Sequence, residues 1–437
     1  MATALASIVL PLDYIHVLCL IGVLLYVWGR EPARLLLTPL TLLSFFILYG
    51  VGNIIYFLGE ETVPEVRRAV TLSMILMWIG IIAGIELARA LAPGLSAQAR
   101  RIARLWSTTR MHDDGSGDQL LAMVGAAVAL FMLLMFLGLG KPSQILTFLS
   151  IGTAHEKLKY RLEFGSEGGY LYRTLAASVA PFLSFLLLSK AACTGRRYLL
   201  LIGGAVCLAA FAGKLGTFEK VPWLVYILQL MIVFQARKRL EIGVGRILMF
   251  LIILLGGVVA ATLIAIPDLQ STDLLSWLGF RFFQVNSEVI YQTFYVYPEH
   301  LPHTWGMNIG LVHALLGTGE LQSAHTQVAN FFGAEGATFD AFFIADAWVD
   351  FSYAGVAVMA VLVGLVLKMV DMFVLSRGKT PLSVALLASG MYGLFQLQVT
   401  SAFTAFLSGG LVLIPLLVLG AEGLMNDLTR GRLQWQR

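Results

Sequence analysis

Apolar runs of about 20 residues recur along almost the whole chain, and they restrict its fold more than any other feature. An α-helix needs about 20 consecutive apolar residues to cross the hydrocarbon core of a bilayer. Charged residues make up 13% of the sequence, whereas a soluble globular domain carries about 25%. The sequence therefore predicts an all-α polytopic integral membrane protein, folded as a single membrane domain over residues 1–437.

Eleven membrane spans are predicted from these runs. They lie at residues 8–28, 35–57, 69–91, 119–139, 171–189, 198–212, 221–236, 246–266, 341–367, 381–399 and 408–425. With this topology, 20 of the 30 lysines and arginines fall on the connectors of one side, although the two longest loops lie on the other. By the positive-inside rule, the N-terminus is then outside and the C-terminus cytoplasmic. The first apolar run lacks the basic n-region of a cleaved signal peptide, so we interpret it as a retained helix.

Two long segments lie on the predicted outer side. They are a first extracytoplasmic loop at residues 140–170 and a large extracytoplasmic loop at residues 267–340. We expect the large loop to fold into helices over the bundle, because loops longer than about 15 residues are uncommon without structure or function. Its aromatic-rich stretch Asp273–Tyr297 is predicted to form a helix that Pro298 ends, followed by a short helix over Met307–Leu316.

Several familiar motifs are missing from the sequence. In "FAGKLGTFEK" the Gly-Lys pair is followed by Leu rather than Ser or Thr, so no P-loop is predicted. There is no HExxH and no pair of CxxC motifs, and the three cysteines imply no disulfide framework. Four of the seven histidines lie between residues 300 and 325, but their spacing matches no distinctive metal geometry. We therefore predict no metal and no cofactor, and the net charge of +4 gives no indication of nucleic acid binding.

Five basic residues on the predicted outer face suit an anionic lipid headgroup such as a pyrophosphate. They are Arg161, Arg173, Lys214, Lys220 and Arg281. Arginine presents a planar fork to phosphate oxygens, and lysine supplies a point charge. The alternative is that these residues are snorkelling anchors at the membrane interface. Arg281 lies among three phenylalanines, so we expect it to be buried with a functional or ion-pair partner.

Two acids stand at the start of an apolar stretch, "FFIADAWVDFSYAG". Asp346 and Asp350 are at i and i+4, so they share one helix face, together with Tyr353. The helix dipole favours negative charge near an N-terminus, and the cost of acids in lipid predicts that this face points into the bundle or a wet cavity. Whether the acids contact substrate or pair structurally with an outer-face arginine stays open at this point.

Three stretches, together covering parts of about the C-terminal two-thirds of the chain, follow the pattern of one known family. They are "RFFQVNSEVIYQTFYVYPEHLPHTWGMNIGLVHALLG" (Arg281–Gly317), "FFIADAWVDFSYAGVAVMAVLVGLVL" and "GKLGTFEKVPWLVYILQLMIVF". They resemble the large-loop region, the segment after that loop and the basic outer turn of bacterial oligosaccharide repeat-unit polymerases, the Wzy-type O-antigen polymerases. The number of spans and the two prominent outer loops agree with this resemblance.

The resemblance implies a GT-C-like bundle and glycosyl transfer on the outer face of a bacterial inner membrane. The growing glycan would leave one undecaprenyl-pyrophosphate carrier and join the sugar of an incoming lipid-linked repeat unit, without nucleotide sugar or cofactor. Arg281 would be the main cation that stabilises the departing pyrophosphate, with Arg161, Arg173, Lys214 and Lys220 as further candidates. The candidates for the base are His300, His303, His325, Asp346 and Asp350. A chain-length regulator is a candidate partner.

Other activities fit the same sequence. An O-antigen ligase, which moves finished glycan onto the lipid A core of lipopolysaccharide, would share this architecture. A lipid or polysaccharide transporter or flippase should show repeated halves and charged residues near the bilayer midplane. No repeat is visible and the charges gather at the outer ends of helices, which favours the enzyme. A regulatory or scaffold membrane protein is the remaining alternative.

Overall fold

The structure is a computed structural model in which every regular element is a helix. It describes residues 11–30, 36–106, 109–113, 117–165, 167–236, 256–257, 259–260, 262, 277, 279–316, 323–334 and 342–423. Eight of the helices in these ranges are long and apolar enough to cross a membrane. The prediction of an all-α polytopic membrane protein is therefore confirmed.

The described residues include seventeen helices. In chain order they are α1 (Pro11–Arg30), α2 (Leu37–Gly59), α3 (Pro64–Leu91), α4 (Pro93–Trp106), α5 (Asp118–Gly138), α6 (Lys141–Ser150), α7 (Ala154–Phe164), α8 (Gly169–Thr194), α9 (Arg197–Leu215), α10 (Lys220–Ala236), α11 (Val285–Val296), α12 (Gly310–Leu316), α13 (Ala324–Phe331), α14 (Phe343–Ser376), α15 (Pro381–Val399), α16 (Ala402–Phe406) and α17 (Leu413–Gly423). The eight long apolar helices are α1, α2, α3, α5, α8, α9, α14 and α15, and α10 and α17 contain shorter apolar helices. These ten match ten of the predicted spans, and the predicted span 246–266 lies mostly outside the described residues.

Helices α3 and α14 pack closely against each other through small residues. An added Cβ at Gly84 would lie 2.0 Å from the carbonyl oxygen of Val361, and one at Gly364 would lie 2.1 Å from that of Ile81. The two backbones therefore touch, which is the close approach that small residues permit between membrane helices. Helices α1 and α4 also pack against this pair, so it forms the centre of its half of the bundle.

Charged and polar contacts gather at two opposite ends of the bundle. The basic end consists of residues 86–106, 109–113, 117–118, 190–198 and 368–380. There Lys190 pairs with Asp118 at 2.7 Å. At the other end, which we call the loop end because it carries α6, α7 and α11 to α13, Arg67 pairs with Asp13 at 2.7 Å. The two ends match the predicted division of the connectors between two sides, and which end faces the cytoplasm stays a prediction.

Both predicted outer segments contain helices. Residues 140–170 form α6, α7 and the start of α8, and the described part of residues 267–340 forms α11, α12 and α13. Helix α11 ends at Val296, as expected from Pro298, which has no N–H to continue the hydrogen bonding. The second predicted helix of the large loop is α12, which begins at Gly310 and thus later than expected.

Helix α14 is interrupted near its start. Phe351 and Ser352 leave the helical conformation, and Ser352 has a left-handed φ of 54°. The break separates Asp346 and Asp350 from Tyr353, so the prediction that all three share one face of a continuous helix is wrong. Such a conformation costs on the order of 1–3 kcal/mol and persists only where the surroundings hold it.

Candidate functional site

Four cationic side chains converge on one cavity at the loop end. This cavity has a volume of about 460 Å³ and lies among α6, α7, α8, α9, α10, α15 and α16. Its charged lining residues are Lys141, Arg161, Arg173, Lys214, Glu167 and Glu219. We call it the cationic cavity, because cations outnumber acids by two among its described lining residues. Walls of low dielectric strengthen such a field, so the cavity favours an anionic ligand.

Lys214 is a fully buried cation in the wall of the cationic cavity. Its Nζ donates to the carbonyl of Ala177 at 3.1 Å and lies 4.1 Å from the ring centroid of Tyr392. The Ala177 carbonyl lacks its usual α-helical donor, because the residue four positions later is Pro181, which has no N–H. A π-helical turn, Leu175–Val179, forms at the same place. The sequence thus creates an orphan acceptor that the buried ammonium satisfies.

Lys141 is a second buried cation, and sequence reasoning did not identify it. Its Nζ donates to the carbonyl of Phe164 and pairs with Glu167 at 3.3 Å. Burial lowers the pKa of Lys141, and the contact with Glu167 offsets part of that effect. A hydrogen bond from Gln144, at 2.9 Å, is the main cause that lowers the pKa of the Glu167 carboxyl. The available signal in the sequence was Gly140, which favours a turn directly before Lys141. In the structure Gly140 has a left-handed φ of 65° and joins α5 to α6.

Arg161 and Arg173, both predicted to bind pyrophosphate, line the cationic cavity. Arg161 pairs with Glu219 at 3.4 Å, and both side chains are partly exposed. Arg173 is exposed and, within the described part of the chain, forms no ion pair or hydrogen bond. The buried hydroxyls of Tyr172 and Thr174, which also line the cavity, have no hydrogen-bond partner among the described residues. The cavity therefore offers a guanidinium and two hydroxyls to a ligand.

Of the other two predicted pyrophosphate ligands, Lys220 has a side chain outside the described part of the protein and Arg281 is absent from the cavity lining. Lys220 begins α10 directly after Glu219. Arg281 is exposed and places its guanidinium 5.6 Å from the ring centroid of Trp277. The prediction that Arg281 is buried is therefore wrong. Its guanidinium lies over the Trp277 ring at the surface, and this cation–π contact stabilises the charge without a carboxylate partner.

The acidic pair lines a second cavity, of about 320 Å³, beside the break in α14. Asp346 and Asp350 stand at one end of its lining, and most of its surface is apolar. The apolar part includes Phe343, Val358 and Leu362. We call this cavity the apolar groove.

Asp346, which lines the apolar groove, forms a carboxylate–histidine pair with His325, which does not itself line the groove. The Nε2 of His325 lies 3.1 Å from Asp346 Oδ1, and Asn308 donates to the same oxygen at 2.8 Å. Asn308 is held in turn by the backbone N–H of Ala324, at 3.1 Å. The other oxygen, Oδ2, is buried without a donor among the described residues. The acid thus pairs with a histidine rather than with an outer-face arginine, and such a pair can accept a proton.

Asp350 holds the loop that precedes α12. Its Oδ1 accepts hydrogen bonds from the hydroxyl of Thr304 and from the backbone N–H groups of Gly306, at 3.1 Å, and Asn308, at 3.4 Å. Trp305, between these donors, has a left-handed φ of 53° and is 72% exposed. The contacts made by Asp350 therefore position the loop, and this acid is a positioning residue.

His300 and His303, the remaining predicted bases, are like His325 absent from the linings of both cavities. His300 packs 5.0 Å from the ring of Tyr295, and the Nδ1 of His303 lies 3.1 Å from the carbonyl oxygen of Val349. Of the three predicted histidines, His325 is the one that the structure brings to an acid. Within the described residues, no group of three or more His, Cys, Asp or Glu side chains is arranged to hold a metal ion.

The short helix α16 lies between the two cavities. Ser401, Ala402 and Phe403 line the apolar groove, whereas Thr404 and Ser408 line the cationic cavity. Ser401 begins the helix by accepting a hydrogen bond from the backbone N–H of Thr404, at 3.1 Å. Sequence reasoning missed this helix because five residues are too few for helical periodicity. Its Ser-x-x-Thr capping pattern was the available signal.

Comparison of the chain with known protein families, with curated proteins and with solved structures finds no match. Function is therefore inferred from the site itself. The site combines excess positive charge, unpaired hydroxyls and a carboxylate–histidine pair on the two sides of one helix. Together these groups can bind a phosphorylated leaving group and accept a proton from a hydroxyl.

Proposed function

We propose that the protein is a polymerase that joins undecaprenyl-pyrophosphate-linked oligosaccharide repeat units into a surface polysaccharide. The resemblance to Wzy-type O-antigen polymerases supports this assignment. The observation that carries it is the presence of two unlike cavities on the two sides of α16, one cationic and one apolar with a carboxylate–histidine pair. Transfer of a glycan between two lipid carriers needs one site for an anionic leaving group and another for a neutral hydroxyl.

In this proposal the cationic cavity binds the pyrophosphate of the growing chain. Arg173 presents its fork to the phosphate oxygens, while Arg161 and Lys141 add charge at the rim and wall. Lys214 adds a buried hydrogen-bond donor to the cavity wall. Negative charge grows on the leaving oxygen as the glycosidic bond breaks, so these fixed cations stabilise the transition state more than the ground state. Arg281 lies outside this cavity and has no part in the proposed step.

The acceptor repeat unit occupies the apolar groove in this proposal. Its hydroxyl oxygen attacks the anomeric carbon of the donor glycan, and the bond between that carbon and the pyrophosphate oxygen breaks. Undecaprenyl pyrophosphate leaves with the bonding electrons, and the hydroxyl proton passes to the Asp346–His325 pair. The lipid chain of the acceptor lies along the apolar wall that includes Val358 and Leu362.

The proposed reaction requires that the loop end face the outside of a bacterial inner membrane, with the N-terminus outside and the C-terminus cytoplasmic. The cations of the basic end support this orientation. Trp305 is exposed at the loop end, so a Trp305→Cys variant in a chain without other cysteines should react with a membrane-impermeant maleimide in spheroplasts. Reaction only after the membrane is opened would reverse the orientation.

Deletion of the gene tests the proposed activity. The deletion strain should carry surface glycan of a single repeat unit, and expression of the wild-type chain should restore a ladder of longer glycans. A normal ladder in the deletion strain would contradict polymerase activity. Loss of all repeat units from the surface would instead indicate a flippase, and full-length glycan retained on its lipid carrier would indicate a ligase. A chain-length regulator, the further partner we propose, would change the ladder's length distribution without removing it.

A further inference from the structure

Three arginines converge on a cavity at the basic end, far from the cavities described above. This cavity has a volume of about 340 Å³. Its polar lining residues are Arg30, Glu86, Arg89, Ser96 and Arg100. Three separate elements contribute these arginines, the end of α1, the last turn of α3 and the exposed side of α4. A smaller cavity that shares these arginines is also lined by Lys368 and Asp371 of α14, and we call the larger one the arginine cavity.

Among the described residues, the acids near the arginine cavity do not neutralise its positive charge. Glu86 pairs with Arg89 at 2.5 Å and thereby orients that one guanidinium. Asp371 accepts two backbone N–H groups at the start of α2, each at 2.9 Å, and so caps that helix. Arg30 and Arg100 are exposed, and within the described ranges neither side chain forms an ion pair. Two guanidinium groups are therefore available to an anion.

Helix α4 indicates that this cavity lies at the level of the lipid headgroups. Its residues buried against the bundle are Ser96, Ala99, Ala103 and Trp106. Arg100 and Arg101 are exposed on another side of the same helix. Long basic side chains near the end of a membrane span reach the level of the lipid headgroups. The preceding helix, α3, is a membrane span that ends at Leu91, immediately before α4.

Exposed apolar side chains lie within one helical turn of the lining arginines on the same spans, although side chains two positions apart point in different directions. Trp28 of α1 is two residues from Arg30 and is 76% exposed. Leu87 and Leu91 of α3, each two residues from Arg89, are 43% and 66% exposed. A ligand that combines an anionic head with apolar chains can use both kinds of surface, whereas a soluble phosphate uses the arginines alone.

We propose that the arginine cavity binds the phosphate headgroup of an anionic phospholipid, whose acyl chains lie against the exposed apolar residues of α1 and α3. Arg30 and Arg100 bind the phosphate oxygens, and Arg89 is held in place by Glu86. Basic pockets between membrane helices bind anionic lipid headgroups through such contacts. This site does not depend on the proposed polymerase activity.

The test uses the purified full-length chain in a mild detergent. Phosphatidylglycerol or cardiolipin is added, with phosphatidylcholine as the neutral lipid and inorganic phosphate as the soluble anion. Native mass spectrometry counts the retained lipids, and thermal unfolding reports stabilisation. The double variant Arg30→Gln/Arg100→Gln is compared with Arg101→Gln, which removes an exposed arginine of α4 that does not line the cavity.

The wild-type protein and Arg101→Gln should retain anionic lipid and unfold at a higher temperature in its presence. In the double variant the apparent affinity should fall about 25-fold, since each arginine near an anionic headgroup contributes about a factor of five. For each variant, the unfolding midpoint in anionic lipid is compared with the midpoint of the same variant in phosphatidylcholine. A general loss of stability then does not resemble a loss of lipid binding. Equal lipid retention by the two variants would overturn the proposal. A rise in unfolding temperature with inorganic phosphate but with neither anionic lipid would also overturn the proposal, because the ligand would then be a soluble phosphate.

Discussion

Replacement of Gly84 by valine should force helices α3 and α14 apart, because the added side chain meets backbone rather than a movable side chain. Its Cβ would lie 2.0 Å from the carbonyl oxygen of Val361 and 2.8 Å from the backbone nitrogen of Leu365. Non-bonded heavy atoms are comfortable at about 3.5 Å, so the helices must separate locally by about 1.5 Å. Sliding gives little relief, since Gly364 makes the same kind of contact from the other helix.

Overpacking a well-packed interior costs about 1–3 kcal/mol, and a collision with backbone belongs at the upper end of that range. We therefore expect Gly84→Val to lower the free energy of unfolding by about 3 kcal/mol. Thermal unfolding of the purified protein in detergent, followed by tryptophan fluorescence, measures the effect. Gly204→Val in α9 is the matched control, because an added Cβ at Gly204 has no neighbour within 4 Å. Equal midpoints for the two variants would refute the close packing of α3 on α14.

Asp350→Ala should lower the free energy of unfolding by about 2–3 kcal/mol, because it leaves three donors of the loop before α12 without their acceptor. Proteolysis of that loop should therefore accelerate. The lowered pKa of Glu167 means that its carboxylate stabilises the fold at neutral pH. That contribution disappears as the pH falls through the pKa of Glu167 in the folded protein. The thermal midpoints at pH 7 and pH 4 should therefore differ less in Glu167→Gln than in the wild-type protein. His325→Ala should slow polymerisation about 100-fold and His303→Ala should not, as repeat-unit ladders would report.

The spans and the site residue types were predictable for different reasons. Membrane spans depend on hydropathy over about 20 consecutive residues, a local property that the sequence displays directly. Arg161, Arg173 and Lys214 were identified by charge and position, but their convergence depends on how α7, α8 and α9 pack, which hydropathy does not encode. Lys141 was missed because a lysine after a glycine turn resembles an ordinary interface anchor until Phe164 and Glu167 are seen to enclose it.

The acidic segment shows where local reasoning fails. A continuous helix was expected from Phe343 onward because nothing in the sequence breaks its apolar pattern. The left-handed conformation of Ser352 occurs beside Asp350, whose oxygen binds donors from a loop more than 40 residues earlier. Likewise, Arg281 was expected to be buried because its neighbours are aromatic, yet neighbours in sequence do not decide which side of a helical turn faces the surface.

The central proposal, that the cationic cavity holds the pyrophosphate of the donor glycan, is tested most directly by measuring glycan chain length. The deletion strain would express wild-type protein, Arg173→Gln or Arg68→Gln at matched membrane levels. Arg68 is an exposed arginine of the loop end that does not line the cavity. Loss of one preorganised donor lowers such rates about 100-fold, so Arg173→Gln should leave mainly single repeat units while Arg68→Gln restores the ladder. A full ladder with Arg173→Gln would contradict the proposed role of the cavity.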